Sequence, residues 1–272
     1  MAVAKARIAG RVLLVTSALF VVWLFAVWPP PIWWRDHEPR CTAMMRMRAD
    51  CRIGGSEDRR TLRQQRSALL ERMVIIAEDS RFKTHPGIDL IELREAWTAG
   101  GHRGASTLTQ QLAKNLYLSP SRSLFRKLKE AVTAVRLEIA LSKDRIMELY
   151  LATAEWGPGV WGVNAASEAY FGVPPARLSH AQAAALAATL PQPRTSNPAY
   201  RPARMLARRD LILARFYGGK TPVPPLPEDS IPEMPVIEPP VLPLIPLDSL
   251  IRVDSLIRGD SLIPADTLPQ IL

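Results

Sequence analysis

Two adjacent acids, Glu78 and Asp79, stand at the end of an apolar helix-like run in the stretch AEDSRFKTHPG, followed by Phe82, His85 and a Pro86-Gly87 turn. A carboxylate placed there can take a proton from an incoming hydroxyl, cap a helix, or pair with Arg81 or Lys83. Spacing alone favours the structural uses. His85, beside the turn and with no serine or cysteine nucleophile motif in view, reads as the donor or acceptor of a turn-stabilising hydrogen bond rather than a catalytic base.

A second stretch, GASTLTQQLAKNLYLSPSRSLFRKLKE, carries the opposite charge. Ser106 and Thr107 are helix caps, and Gln110 and Lys114 then fall on one face of that helix with Ser106 at its foot. After the Ser119-Pro120 break a second helix start is crowded by Arg122, Arg126, Lys127 and Lys129, with Glu130 close behind. The start of a helix already favours anions, so cations gathered there repel it unless something negative sits against them. A solvated face with weak Arg126 to Glu130 pairing is one outcome, and a bound phosphate or pyrophosphate is the other. The chain shows no Gly-rich phosphate loop, no zinc-binding pair of histidines and no nucleophile elbow.

The elements that must hold these residues are mostly helical. From Thr61 to about Phe216 apolar residues recur at helical spacing: Leu69, Met73 and Ile76; Leu108, Leu112 and Leu116; Leu124, Leu128 and Ala131. Helix starts are signalled at Ser106/Thr107, Ser119-Pro120 and Ser179, and breaks at Pro86-Gly87, Gly100-Gly101, Trp156-Gly157-Pro158-Gly159 and Pro191-Gln192-Pro193. The fold class expected is therefore mainly α, and a chain of 272 residues is long enough for a real core.

Outside that domain the composition changes twice. Lys5, Arg7 and Arg11 precede an apolar run from Val12 to Trp28, then Pro29-Pro30-Pro31 and Trp33-Trp34. This predicts an uncleaved single-pass transmembrane helix, with the positive N-terminus in the cytoplasm and the remainder on the outer, periplasmic face of the cytoplasmic (inner) membrane. The formal net charge is +9; with the domain exported, nucleic acid is excluded as a partner and a lipid-linked pyrophosphate suits the cations better than a nucleotide. Cys41 and Cys51 could form one local disulfide or stay as two thiols. Residues 219–272 hold 12 of the 25 prolines and end in DSLIRV-DSLIRG-DSLIPA-DTLPQI, which reads as a disordered tether or, alternatively, a short solenoid or docking strand. The boundaries expected are 1–35 for the cytoplasmic end and anchor, 36–60 for a juxtamembrane segment, 61–218 for the helical domain and 219–272 for the tail.

AEDSRFKTHPGID resembles the first motif of the peptidoglycan glycosyltransferases, the transglycosylase domain family of class A penicillin-binding proteins. GASTLTQQLAKNLYL resembles their second motif, RKLKE their third, KDRIMELYLATAEWGPGVWGVNAASEAYFG their fourth and NPAYRPARMLARRDLIL their closing segment, over about residues 65–215. The resemblance implies a lysozyme-like helical domain. It implies a membrane-anchored, monofunctional biosynthetic enzyme that polymerises lipid II into β-1,4-linked glycan strands with inversion and release of undecaprenyl pyrophosphate, in peptidoglycan synthesis, cell wall biogenesis and cell shape. By motif, Glu78 is the expected base. Glu130 organises the donor side, orienting the cations or a divalent cation such as Mg or Mn, although no cofactor is required by the motifs. Lys114, Arg122 and Lys127, with Arg126 and Lys129 as weaker candidates, are expected on the pyrophosphate, and Ser106 and Gln110 line the site. Asp79, Phe82 and His85 are supports for the turn, and the stretch between Asp89 and Gly104 matches a segment that is mobile in the family.

The family's Tyr-Leu-Asn is Tyr150-Leu151-Ala152 here, and its Glu-Ala-Ala is Gln182-Ala183-Ala184. No S-x-x-K motif with its partners is present, so cross-linking is left to separate cell-wall enzymes such as transpeptidases. Two other readings share these residues: a catalytically weak scaffold that recruits cell-wall enzymes through its tail, and a lysozyme-like hydrolase, for which a cationic cluster is unnecessary.

Overall fold

The computed structural model describes residues 2–51, 66–98, 104–121, 123–220 and 223. Arg122, the Gly100-Gly101 pair and the DSLI repeats lie outside the described residues. Among those described, the chain is built from helices and one small hairpin, so the mainly α expectation holds.

Helix α1 is Ala2–Phe25, and its Arg7–Phe25 portion is long and apolar enough to cross a membrane, with none of that window buried inside the protein. A short 3-10 turn at Pro31–Arg35 and helix α2, Ala43–Met47, lead into α3, Ala68–Glu78, and α4, Leu90–Thr98. Helices α5, Leu108–Tyr117, α6, Leu124–Ala140, and α7, Lys143–Thr153, follow. Strands β1, Glu155–Gly157, and β2, Val160–Trp161, pair antiparallel with Glu155 opposite Trp161, so the predicted break at Trp156-Gly157-Pro158-Gly159 is a hairpin turn. Helices α8, Val163–Phe171, α9, His180–Thr189, and α10, Pro202–Phe216, complete the domain.

Local chemistry sets most of these boundaries. Thr107 accepts from Gln110 N at 3.2 Å while Gln110 Oε1 accepts from Thr107 N at 3.0 Å, and Ser179 and Gln182 make the same reciprocal box at the start of α9. Glutamine serves this box as glutamate does, which is why the departure at Gln182 leaves the fully buried Ala183 and Ala184 in place. Helix α6 begins at Leu124 with Ser123 as its cap, later than the Ser119-Pro120 signal suggests.

The core is a cluster drawn mainly from α3, α5, α6, α7, α9 and α10, with Leu70, Leu108, Leu112, Leu137, Tyr150 and Leu186 at its centre and Phe82 and Trp156 added from the segments between helices. Each such side chain stabilises the fold by about 1.5–3 kcal/mol when fully buried. The predicted face Leu69, Met73, Ile76 is rotated: Leu70, Met73, Val74 and Ala77 are buried and Leu69 and Ile76 half-buried. The predicted face Leu124, Leu128, Ala131 of α6 is corrected outright. Leu124 and Leu128 are 89% and 45% exposed, and the buried face is Glu130, Thr133, Ala134 and Leu137.

The first turns of α6 instead meet the N-terminal helix. Phe125 lies edge-on to Phe20 at 6.1 Å, Lys129 Nζ sits 4.7 Å over Trp23, and Arg136 donates to the Phe25 carbonyl at 2.6 Å. The chain leaving α1 is then pinned by Arg145 of α7, which is 5% exposed and donates to the carbonyls of Trp34 and His37, both at 2.8 Å, and pairs with Glu38 at 2.7 Å. A disulfide joins Cys41 and Cys51, resolving the alternative left by the sequence, and the enclosed Met44 and Met45 pack on Trp161 of the hairpin.

Candidate active site

Glu78 is the last residue of α3, and its side chain is 8% exposed. Oε1 accepts from Arg208 Nη2 at 3.1 Å, and Oε2 accepts from Gln111 Nε2 at 3.1 Å. Arg208, on the face of α10 that also buries Met205 and Ile212, is 4% exposed and donates to the Ala77 carbonyl at 2.8 Å as well. Gln111 is oriented in turn by the Tyr150 hydroxyl, which donates to its Oε1 at 2.9 Å. The local pairings open to Glu78 in the sequence are not the ones formed: Arg81 binds Asp89 and Glu92, and Lys83 binds Asp144.

Asp79 does more than shape a turn. Its carboxylate accepts from His85 Nε2 and from the backbone N–H of Leu108, both at 3.0 Å, so it joins the first acidic stretch to the N-terminus of α5, where the helix favours negative charge. The Gly87 N–H donates to His85 Nδ1 at 3.2 Å, which assigns the ring proton to Nε2, facing Asp79. Thr107 closes the same seam by donating to the Gly87 carbonyl at 2.6 Å. Gly87 has φ +95°, and a Cβ there would meet the Ala134 carbonyl oxygen at 3.0 Å, so both conformation and space ask for glycine. Phe82 is fully buried under Lys143 Nζ, 4.6 Å from its ring, and that ammonium binds the His85 carbonyl at 2.6 Å.

A cavity beside Glu78 is also lined by Asp79, Glu92 and the segment Gly104–Thr107. Ser106 therefore faces the same space as Glu78 and links it to the basic cluster, because Lys127 Nζ donates to Ser106 Oγ at 2.6 Å. Lys127 and Arg126 both pair with Glu130, whose side chain is 2% exposed. Arg126 also donates to the Ser121 carbonyl through Nε. The buried acid thus holds two cations at the start of α6, against the helix dipole that would spread them.

The structure brings together Glu78 and Ser106 around one cavity, and Ser106, Arg126, Lys127 and Glu130 in one hydrogen-bonded cluster. It does not bring Gln110 there: that side chain is 5% exposed and closes the Thr107 capping box. Its neighbour Gln111 turns to Glu78 instead. Lys114 lies half-buried in the last turn of α5. Lys129 points to the other side of α6, against Trp23, where burial lowers its ammonium from the ordinary lysine value.

Gln111, Arg208 and Tyr150 are the residues that sequence reasoning missed. A signal for Arg208 exists in retrospect: Met205, Arg208 and Ile212 share one helical face, so an arginine stands among apolar side chains.

Two sets of acids could be considered as ligands for a resident divalent cation, those around Glu130 and those around Asp79. At Glu130 both oxygens are engaged by Lys127 and Arg126, and two positive charges already occupy the neighbourhood. Asp79, His85 and Asp89 have ligand atoms within 4.8 Å of one another, yet Asp79 is taken by His85 and Leu108, and Asp89 by the Arg81 guanidinium at 2.6 and 3.1 Å. Burial raises the Asp89 carboxyl, but Arg81 and the Glu92 N–H outweigh it and hold the group below the usual carboxylate range. Neither set fits a bound metal as arranged.

Known proteins resemble this chain over most of its length. The transglycosylase family profile matches residues 51–217. A biosynthetic peptidoglycan transglycosylase of Azoarcus sp. (strain BH72) is 41% identical over 223 residues, covering 78% of this chain and 96% of that protein. Proteins of the same description from Aromatoleum aromaticum, 40% identical over 227 residues with 79% and 98% covered, and Bordetella avium, 38% over 224 with 77% and 92%, are similar over comparable lengths. With its helical lysozyme-like domain and a match that runs over most of its length, the chain belongs to the transglycosylase family and is a peptidoglycan glycosyltransferase.

Proposed function

We propose that this enzyme polymerises lipid II into β-1,4-linked glycan strands, with Glu78 as the general base. The observation that carries this reading is the shared cavity: Glu78 and Ser106 both line it, and Ser106 is bonded to the cationic cluster. The 4-hydroxyl oxygen of the acceptor sugar attacks the anomeric carbon of the donor. The anomeric C–O bond breaks with its electron pair going to the pyrophosphate oxygen, and the hydroxyl proton passes to Glu78. A single in-line displacement inverts the α-linked donor to a β product. A base at one end and fixed positive charge at the other is what such a displacement needs, because negative charge builds on the departing group.

In this reading Lys127 and Arg126 hold the pyrophosphate, with Lys114 and Arg122 completing the grip, and Glu130 fixes the first two in place. Arginine can bind two phosphate oxygens at once, while lysine supplies a movable point charge. Lys129, packed on Trp23, serves the junction between α1 and α6 rather than the substrate. We assign the chain to the inner membrane with a single crossing, its N-terminus inside and its catalytic domain on the periplasmic face. The exposed apolar side chains Leu124 and Phe125 beside α1, and Leu90, Ile91 and Trp97 on α4, support a site that works at a lipid surface. Transpeptidases that cross-link the strands are the partners this activity calls for.

The test is polymer formation from labelled lipid II by wild type and Glu78→Gln, alongside incubation with preformed glycan. Polymer from wild type alone is the expected result. Undiminished polymer from Glu78→Gln rules out the assigned base, and release of sugars from preformed glycan by wild type points to a hydrolase.

A further inference from the structure

We infer that Tyr150 is a positioning residue for Glu78, acting through Gln111; this rests on the proposed role of Glu78 as base. Four helices converge on that carboxylate: Glu78 ends α3, Gln111 comes from α5, Tyr150 from α7 and Arg208 from α10. Their sequence separations, 33 residues between Glu78 and Gln111 and 39 between Gln111 and Tyr150, hide the arrangement from any local motif.

The direction of each hydrogen bond follows from chemistry. An ionised carboxylate only accepts, so Gln111 must turn its NH2 group to Glu78 Oε2 at 3.1 Å, which leaves its carbonyl oxygen facing Tyr150. Tyr150, 1% exposed, must then donate, and it does so at 2.9 Å. An amide is nearly symmetrical in shape, and the opposite orientation would set its oxygen against the carboxylate. The carboxylate itself selects the orientation, because a hydroxyl can donate or accept; the tyrosine bond anchors the correctly turned amide in place, and the two bonds in series polarise each other. With Arg208 fixing the other oxygen at 3.1 Å, the plane of the carboxylate is set from both sides. Proton transfer requires the base to lie within hydrogen-bond reach of the acceptor hydroxyl and aimed at it, and misplacement by an ångström is enough to slow the step greatly. Ala152, where the family has asparagine, follows Tyr150 on the same helix but contributes no side chain to this chain of contacts.

The experiment measures steady-state polymerisation by the full-length chain in detergent with lipid II, for Tyr150→Phe, Gln111→Met, the double variant and Glu78→Gln, with thermal unfolding of each. Tyr150→Phe removes one oxygen and is expected to lower kcat about tenfold, the equivalent of one hydrogen bond, with KM changed less than about twofold. Gln111→Met keeps the length and loses both bonds, and adding Tyr150→Phe to it should cause no further loss. Losses that multiply in the double variant, an effect confined to KM, or full activity of Tyr150→Phe would each overturn the inference. If Tyr150→Phe fails to fold, Gln111→Met decides alone: an unchanged kcat refutes the relay. Inactive Glu78→Gln with normal Tyr150→Phe sinks this inference and leaves the base in place, whereas active Glu78→Gln removes both.

Discussion

The Glu78 and Glu130 side chains are both largely enclosed, 8% and 2% exposed, but their surroundings differ in kind. Glu78 is gripped by one buried arginine and one neutral amide, contributed by helices far apart in the chain. Glu130 is gripped by Arg126 and Lys127 from its own helix, and these reach toward solvent, Lys127 being 42% exposed at its side chain. The difference separates two uses of a carboxylate. An acid fixed in plane by a small set of directed bonds suits proton transfer, whereas an acid enclosed by partly exposed cations suits holding those cations where a phosphate can displace some of their water.

Substitutions can break this comparison. The largest effect expected is on turnover: Glu78→Gln should lose about 10²–10⁴-fold in kcat, the usual contribution of a general base, as measured by lipid II polymerisation. Glu130→Gln should act mainly through the donor, lowering kcat/KM more than kcat; equal losses in both parameters for both variants would erase the distinction.

Stability offers a second contrast. Arg208→Ala leaves the Glu78 charge buried beside fewer partners and should cost about 3–5 kcal/mol in urea unfolding. Lys127→Ala removes a part-exposed ammonium and should cost less than about 1 kcal/mol while raising KM. Similar costs for the two would mean that the Glu78 pair is no more buried in effect than the Glu130 pair.

A last effect, one that depends on pH, lies beside the Glu78 end, at Asp89. Its carboxyl is held low in the folded state by Arg81 against the opposing effect of burial, so the stabilisation is present above the unfolded value near 3.9 and is lost as pH falls through the folded value. Asp89→Asn should therefore lower the melting temperature at neutral pH by the equivalent of about 1 kcal/mol and make acid unfolding shallower. An acid transition identical to that of wild type would show that the pair contributes nothing.

The residues also show which part of the site could be read in one dimension. The cap at Thr107 and the clustering of cations ahead of Glu130 are local, because caps and adjacent turns involve residues three or four apart. Gln110 illustrates the limit. The same glutamine satisfies a cap signature and a site motif, and only packing shows that the cap uses it while Gln111, about 100° further round the helix, reaches Glu78. The face assigned to Leu124 and Leu128 failed for a related reason: apolar periodicity reports that a face leaves water, and here those side chains stand exposed beside the N-terminal helix instead of in the core.

Sequence by itself determined the helical class, the caps, an N-terminal helix fit to span a membrane and the two acids set among basic residues, all of which follow from residue types at short spacing. Tertiary structure alone decided which arginine of RPARMLARRD lies buried against Glu78, that Asp79 ties His85 to the start of α5, and that Tyr150 orients Gln111. Those contacts bridge helices separated by tens of residues, and their geometry exists only after the core has closed and excluded water from the groups that must then find one another.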